Sequence, residues 1–215
     1  MITGTSSGIG KAAAEYFLER DHEVHGLDIR PAAIDHARYT HHIADVTDPS
    51  TFPAGIEPEV LINNAGIQES GRDIDVNLKG VINITERYAF GNNRIRSVVN
   101  IGSAAGHTGS EFPEYAASKG GILAYTKNVA LRLAPKAICN SIDPGGVVTD
   151  LNSPVMNDEK LWNRIMELTP LKRWASAEEI AEWIYFVAVI NRFMTGQNLL
   201  IDGGEAGRAE FVWPE

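Results

Sequence analysis

Short apolar runs rich in valine, isoleucine and leucine recur along the chain. They alternate with longer stretches in which apolar positions fall every third or fourth residue. HEVHGLD (22–28), EVLINN (59–64), IRSVVNIGS (95–103), AICNSID (137–143) and GQNLLID (196–202) predict strands. GKAAAEYFLER, VNLKGVINITERYAF, YAASKGGILAYTKNVALRLA and SAEEIAEWIYFVAVI, interleaved with them, predict helices. Ser176 followed by Glu179 is a capping box for the last helix. Pro144-Gly145-Gly146 ends one strand and Gly203-Gly204 ends the final one. Strands that are apolar throughout are buried on both faces, so the pattern predicts an α/β fold with a parallel sheet between helical layers. No repeat, low-complexity tract or linker interrupts it, and residues 1–215 are expected to form one domain.

The opening stretch, MITGTSSGIG, carries the first candidate chemistry. Gly4-Thr5-Ser6-Ser7-Gly8 fits the G-x-S-x-G elbow of a serine hydrolase, whereas Gly4, Gly8 and Gly10 fit a glycine turn that cradles a pyrophosphate. An elbow serine sits above a strand already flanked by others, with its acid and histidine following. Here the turn comes first and runs straight into a helix, so the phosphate reading is preferred. Only Met1, Ile2 and Thr3 precede Gly4. A central strand that short is expected to leave its neighbours' ladder groups unpaired, so either the strand is a stub or the sequence begins inside it. Asp28 ends the next predicted strand, 18 residues after Gly10. A carboxylate there accepts from both ribose hydroxyls of NAD and repels the 2′-phosphate of NADP, so NAD is expected despite Arg30.

Tyr115 and Lys119 are four residues apart in EYAASKGG and share one helix face. A phenol is a poor base at neutral pH, and a fixed ammonium beside it favours the phenolate, as acid/base catalysis of hydride transfer requires. Ser103 ends the strand VVNIGS, where its hydroxyl can hold a substrate oxygen.

Together these segments resemble the short-chain dehydrogenases/reductases of the classical type over nearly the whole chain. TGTSSGIG matches the family's cofactor turn, NNAG (63–66) the motif beside the adenosine, and VNLKG (76–80) the segment of a catalytic asparagine. NIGSAAG, YAASK, NSIDPGGVVTDL and MTGQNLLIDGG complete the order. The resemblance implies a Rossmann-type doubly wound sheet of about seven strands. It implies that Tyr115 exchanges the proton, Ser103 orients the substrate oxygen, Lys119 holds the nicotinamide ribose, and Asn77 holds a water on a proton path. For the cofactor it implies Gly4, Ser7, Gly8, Ile9 and Gly10 at the phosphates, and Asp28 with Ile29 at the ribose. Asp45 and Val46 would bracket the adenine, with Asn64, Ala65 and Gly66 alongside. Pro144, Gly145, Val147 and Thr149 would face the nicotinamide. Gln68, His107 and Phe112 are candidate substrate-pocket residues, below a small specificity lobe at about 151–174.

Several elements are predicted to be abbreviated. Pro49, Pro53 and Pro58 oppose a helix before the EVLINN strand, only 13 residues separate Asn64 from Asn77, and Ser103 precedes Tyr115 by 12. A net charge of −9 disfavours nucleic acid or an anionic membrane surface as partner. No apolar run spans a bilayer and no signal sequence is visible, so a cytoplasmic protein is expected. Cys139, the single cysteine, is expected in the core. His22, His25, His36, His41 and His42 lack metal-ligand spacing and are expected on the solvated surface, so no metal is assigned. The apolar tail EFVWPE, with Phe211 and Trp213, is expected to dock on a neighbouring subunit of a homodimer or homotetramer.

The function expected is an NAD-dependent interconversion of a secondary alcohol and a ketone, with a small-molecule substrate. The alternatives are a 3-oxoacyl-carrier-protein reductase, which in this family usually takes NADPH, and a non-catalytic NAD-sensing regulatory protein. A serine hydrolase is the remaining alternative.

Overall fold

The computed structural model describes residues 1–109 and 112–207. The tail holding Phe211 and Trp213 lies outside the described residues. The chain begins with β1 (Ile2–Thr3), α1 (Gly8–Leu18), β2 (Val24–Asp28), β3 (Tyr39–Ile43) and β4 (Val60–Asn63). A π-helical turn, Ile74–Gly80, then runs into α2 (Val81–Tyr88). Next come β5 (Ser97–Ile101), α3 (Ala104–Thr108), α4 (Pro113–Leu133), β6 (Ile138–Pro144) and β7 (Val147–Val148). The chain continues through α5 (Ser153–Met156), α6 (Glu159–Leu168), β8 (Ala175–Ser176), α7 (Ala177–Tyr185) with a π-helical continuation over Phe186–Ile190, and β9 (Asn198–Ile201).

Seven strands form one sheet in the order β3-β2-β1-β4-β5-β6-β9, every pair parallel. The order reverses between β1 and β4, which opens a crevice at the carboxyl ends of the strands. On one face α1 packs on α7, the fully buried Ala13 and Ala14 lying in one cluster with Ile180 and Ile184. On the other, Ile84 of α2 and Val129 and Leu133 of α4 cover Leu61, Val98 and Cys139. Cys139 is a buried free thiol, and burial pushes its pKa up.

The abbreviated elements take physical form. Before β4 the prolines leave a single 3₁₀ turn, Pro49–Thr51, where a longer helix does not form. β1 pairs through Ile2 and Thr3 with β2 and through Ile2 with β4. Its ladder is extended at both ends: Ile62 N donates to Met1 O (2.9 Å) and Gly4 N to Leu27 O (2.7 Å). Met1 N donates to Val60 O at 2.8 Å. Below it, a cavity of about 850 Å³ opens along Val24, His25, Val60 and Arg96, at the end of the sheet opposite the crevice.

The strand β3 carries no apolar run. Its sequence, YTHHI, is half-exposed at the sheet edge, and pairing of Val24–Asp28 with Tyr39–Ile43 sets it. The histidines are tied rather than solvated, which corrects the expectation for four of them. His25 Nδ1 lies 3.1 Å from His42 Nε2, His41 Nδ1 lies 2.9 Å from the Tyr39 hydroxyl, and His22 Nε2 lies 3.3 Å from that of Tyr185. Each imidazole is half-buried; His22, His25 and His42 find partners on other elements, a tertiary fact with no local signature, while His41 meets Tyr39 of its own strand. Among the described residues, no three His, Cys, Asp or Glu side chains converge as a metal site. No helix among them is long and apolar enough to cross a membrane.

Candidate active site

The glycine turn leaves β1 and enters α1 at the mouth of the crevice. Gly4 (φ +77°) and Gly8 (φ +55°) adopt left-handed backbone that side chains resist. A Cβ on Gly10 would lie 2.1 Å from Gly4 O and 2.3 Å from Asn64 Nδ2, so the turn folds onto itself only without one. Asn64 braces it, Nδ2 donating to Thr3 O (3.0 Å) and Gly4 O (3.3 Å), while the amides of Asn64 and Ala65 donate to Thr3 Oγ1. Ser7 begins α1 with no side-chain cap, so the first-turn amides around Ile9 and Gly10 keep their donors. That cradle fits a pyrophosphate. The elbow reading fails on geometry: the Ser6 hydroxyl donates to Pro31 O at 2.9 Å, a backbone carbonyl and not a histidine.

Asp28 is buried at the tip of β2 beside this turn. Ser6 N donates to its Oδ2 and Arg30 N to its Oδ1, each at 2.9 Å, and Arg30 Nε lies 3.5 Å away. Burial alone would raise its pKa; the amides of Arg30 and Ser6, with the Arg30 guanidinium, outweigh that and hold the carboxyl below its usual range. Arg30 also donates to Ser7 Oγ at 2.7 Å, so its charge lies across the turn. Ile29 projects its side chain into solvent at 67 % exposure, an apolar wall with nothing on it. Asp45 turns one oxygen back to Thr47 N and Oγ1, and Val46 packs against Gly80.

Across the crevice, the Asn77 region explains how a shortened segment still reaches the site. The π-helical turn Ile74–Gly80 carries Asn77 inward, where it is buried. Asn77 Oδ1 accepts from Ile67 N and its Nδ2 donates to Ile67 O, both at 2.8 Å, with a further bond to Ser118 Oγ at 3.2 Å. The position a Cβ would take on Gly66 lies 3.2 Å from Asn77 Oδ1 and 3.7 Å from Lys119 Nζ, so both groups flank one bare glycine.

Ser103 caps α3, accepting from Ala105 N at 3.1 Å, while Tyr115 and Lys119 sit in the first two turns of α4. Lys119 is buried, donates to Ile101 O at 2.8 Å, and lies 5.7 Å from the centre of the Tyr115 ring. Burial lowers its pKa to about 8, Asp143 opposing. For Tyr115 the expectation from sequence is reversed: burial, the largest influence, raises the phenol above its usual value, a hydrogen bond from Ser103 counters it, and Asp73 raises it further. The Lys119 ammonium, meanwhile, donates to a backbone carbonyl.

The loop after β6 closes the site. Pro144 ends β6, Val147 pairs with Ala175, and the Cβ position of Gly8 faces Thr149 Cγ2 at 3.5 Å. A Cβ on Gly145 would meet Asp202, and one on Gly146 would collide with the Trp174 indole, so the loop is pressed against both. Trp174 stacks edge-on with Trp162 of α6, 4.9 Å between centroids, and so ties the lobe to the loop. Gln68 and Phe112 are half-buried on the loops after β4 and before α4, and His107 closes on Asp143. The sequence marks no role for Thr3, Asp73 or Asp143. None carries a local pattern, although the Asp before Pro144 was on view as a charge in an apolar run.

Residues 4–205 match the family described as Enoyl-(Acyl carrier protein) reductase, a short-chain dehydrogenase/reductase profile. The chain belongs to the short-chain dehydrogenase/reductase family. It is an oxidoreductase of the kind that acts on CH–OH groups. It is 32% identical to a 3-oxoacyl-[acyl-carrier-protein] reductase, FabG, of Thermotoga maritima, with 95% of this chain and 96% of that protein covered. Its fold is similar to that of the aldohexose dehydrogenase of Thermoplasma acidophilum (TM-score 0.89, 32% identity, 100% of this chain and 96% of that one). It is also similar to a 4-hydroxyisoleucine dehydrogenase solved with NADH (TM-score 0.89, 28% identity, 97% and 98% covered).

Proposed function

We propose that this protein is an NAD-dependent oxidoreductase that interconverts a secondary alcohol and a ketone. The observation that carries the reading is the convergence of Ser103, Tyr115, Lys119 and Asn77 at the crevice whose other wall is the glycine turn and Asp28. When bound, a nicotinamide dinucleotide supplies the acceptor or donor of hydride. The residues do the rest. Ser103 holds the substrate oxygen, Tyr115 takes or gives its proton, and Lys119 carries positive charge near the phenol. Asn77 fixes the Ile67 backbone, and its side-chain oxygen and the Lys119 ammonium both approach Gly66, where a proton path between them would run. Asp28, held as a carboxylate at the end of the second strand, supports NAD over NADP, because a negative charge there repels a 2′-phosphate.

The likeness to FabG supports a second reading, reduction of a 3-oxoacyl group on carrier protein. The lobe at 151–174 then faces an acyl chain rather than a small alcohol. An exposed apolar stripe, Trp183, Phe186 and Ile190 on one face of α7 and its continuation, supports self-association into a dimer or tetramer. Absorbance of reduced nicotinamide, followed across a panel of secondary alcohols with NAD and NADP in parallel, tests the function. Oxidation with NAD supports it. Tight NAD binding with no turnover of any alcohol or 3-oxoacyl thioester overturns it.

A further inference from the structure

A carboxylate and an imidazole stand beside the Ser103 turn with no part in the chemistry above. Asp143 is the penultimate residue of β6, fully buried, and its Oδ2 lies 2.7 Å from His107 Nε2. Its Oδ1 has no hydrogen-bond partner among the described residues. The backbone leading to Ser103 is shaped around it: a Cβ on Gly102 would lie 2.0 Å from Asp143 Oδ1, while Gly102 N donates to Ile142 O at 2.8 Å. Thus only glycine fits between Ile101, whose carbonyl takes Lys119, and Ser103. Burying a carboxylate costs several kcal/mol unless it is paired, and here His107 supplies the one pairing.

His107 sits on α3, one helical turn beyond Ser103, and its side chain keeps 27% of its surface in the open. With Nε2 committed to Asp143, Nδ1 has no hydrogen-bond partner among the described residues. Its proton depends on which member of the pair holds the other one. A hydroxyl meets either state, because it both donates and accepts. Ser103 is the N-cap of the short helix that carries His107 four residues on, so one element bears both side chains.

We propose that Asp143 and His107 form a specificity device in which Asp143, as a positioning residue, holds His107 so that Nδ1 binds a second hydroxyl next to the reacting carbinol. The substrate class is therefore a vicinal diol or its hydroxyketone. This deepens the alcohol–ketone reading and rests on it.

The test compares cyclohexane-1,2-diol with cyclohexanol in the wild-type protein and in His107→Ala, His107→Gln and Asp143→Asn. The expected result is that His107→Ala costs the diol at least tenfold more in kcat/KM than it costs cyclohexanol, through KM rather than kcat. Asp143→Asn shifts the same ratio in the same direction, and the double variant is no worse than His107→Ala. Equal losses on the two alcohols, or a loss in kcat alone, would mean a structural staple or an effect through Lys119 and would overturn the proposal. A parallel measurement does not depend on turnover: binding of each alcohol to NAD-loaded Tyr115→Phe by saturation-transfer NMR. A diol preference that disappears with His107→Ala supports the device; no preference, or one that survives, overturns it. Absence of turnover in wild type with that preference intact counts against the alcohol–ketone reading alone.

Discussion

Lys119 donates its buried ammonium to the carbonyl of Ile101, 2.8 Å away, two residues before Ser103. The bond fixes the lysine to the strand that carries the serine, so α4 and β5 present their chemistry in one frame. It also leaves a charge in a place that disfavours charge, with a pKa of about 8 against an ordinary 10.5. Between these values the unfolded chain binds a proton that the folded protein does not, so stability rises as pH climbs from about 8 to 10.5 and this penalty is fully present below 8. Lys119→Met is therefore expected to flatten that rise, its relief of the buried charge at neutral pH being offset by about 1–3 kcal/mol for the Ile101 carbonyl left without a donor. Urea unfolding of the protein at a series of pH values measures both.

Tyr115→Phe removes the hydroxyl that exchanges the proton and leaves the ring packing in place. Turnover is expected to fall by about 10²–10⁴, the usual worth of a positioned acid/base. NAD binding, read by quenching of tryptophan fluorescence, is expected to persist. Full activity in this variant would remove Tyr115 from the mechanism.

Asp28→Ala deletes the carboxylate that accepts from Ser6 N and Arg30 N, and frees Arg30. The ratio of kcat/KM for NAD to that for NADP is expected to drop at least tenfold. An unchanged ratio would show that something other than this charge sets cofactor choice.

Gly10→Ala places a methyl group 2.1 Å from Gly4 O and 2.3 Å from Asn64 Nδ2. Neither neighbour can retreat, since one is backbone and the other holds Thr3 O. A loss of about 1–3 kcal/mol is expected, with NAD affinity falling further than stability does. Thermal melts with and without NAD separate the two effects.

Trp183→Glu puts a charge on the exposed stripe shared with Phe186 and Ile190. If copies of the chain associate there, light scattering after size exclusion will show a smaller particle, with the fold unchanged by circular dichroism. A wild-type protein that is already monomeric would discard the self-association proposal.

Much of this site was legible residue by residue. The glycine spacing of 4, 8 and 10, the acid at 28 and the Tyr115–Lys119 pair each obey a local rule, set by backbone reach or by one turn of helix. What escaped depends on contact between distant segments. Thr3 binds the amides of Asn64 and Ala65 across two strands, and Asp143 meets His107 across a helix and a sheet. The strand Tyr39–Ile43 showed no apolar run because an edge position asks little of its side chains. The pKa of Tyr115 escapes the sequence for a related reason: spacing puts Lys119 near the phenol, and only packing shows that burial dominates there.

By itself the sequence determined the alternation of buried strands with helices, the phosphate turn and the order of the chemical groups along the chain. Those follow from periodicities and short-range sterics, which act within a few residues. The tertiary structure decided how a two-residue strand is held, how a π-helical turn delivers Asn77, and which partners set the charge on Asp28, Lys119 and Asp143. Burial and hydrogen bonding of an ionisable group depend on everything folded around it, and that information is spread over the whole chain.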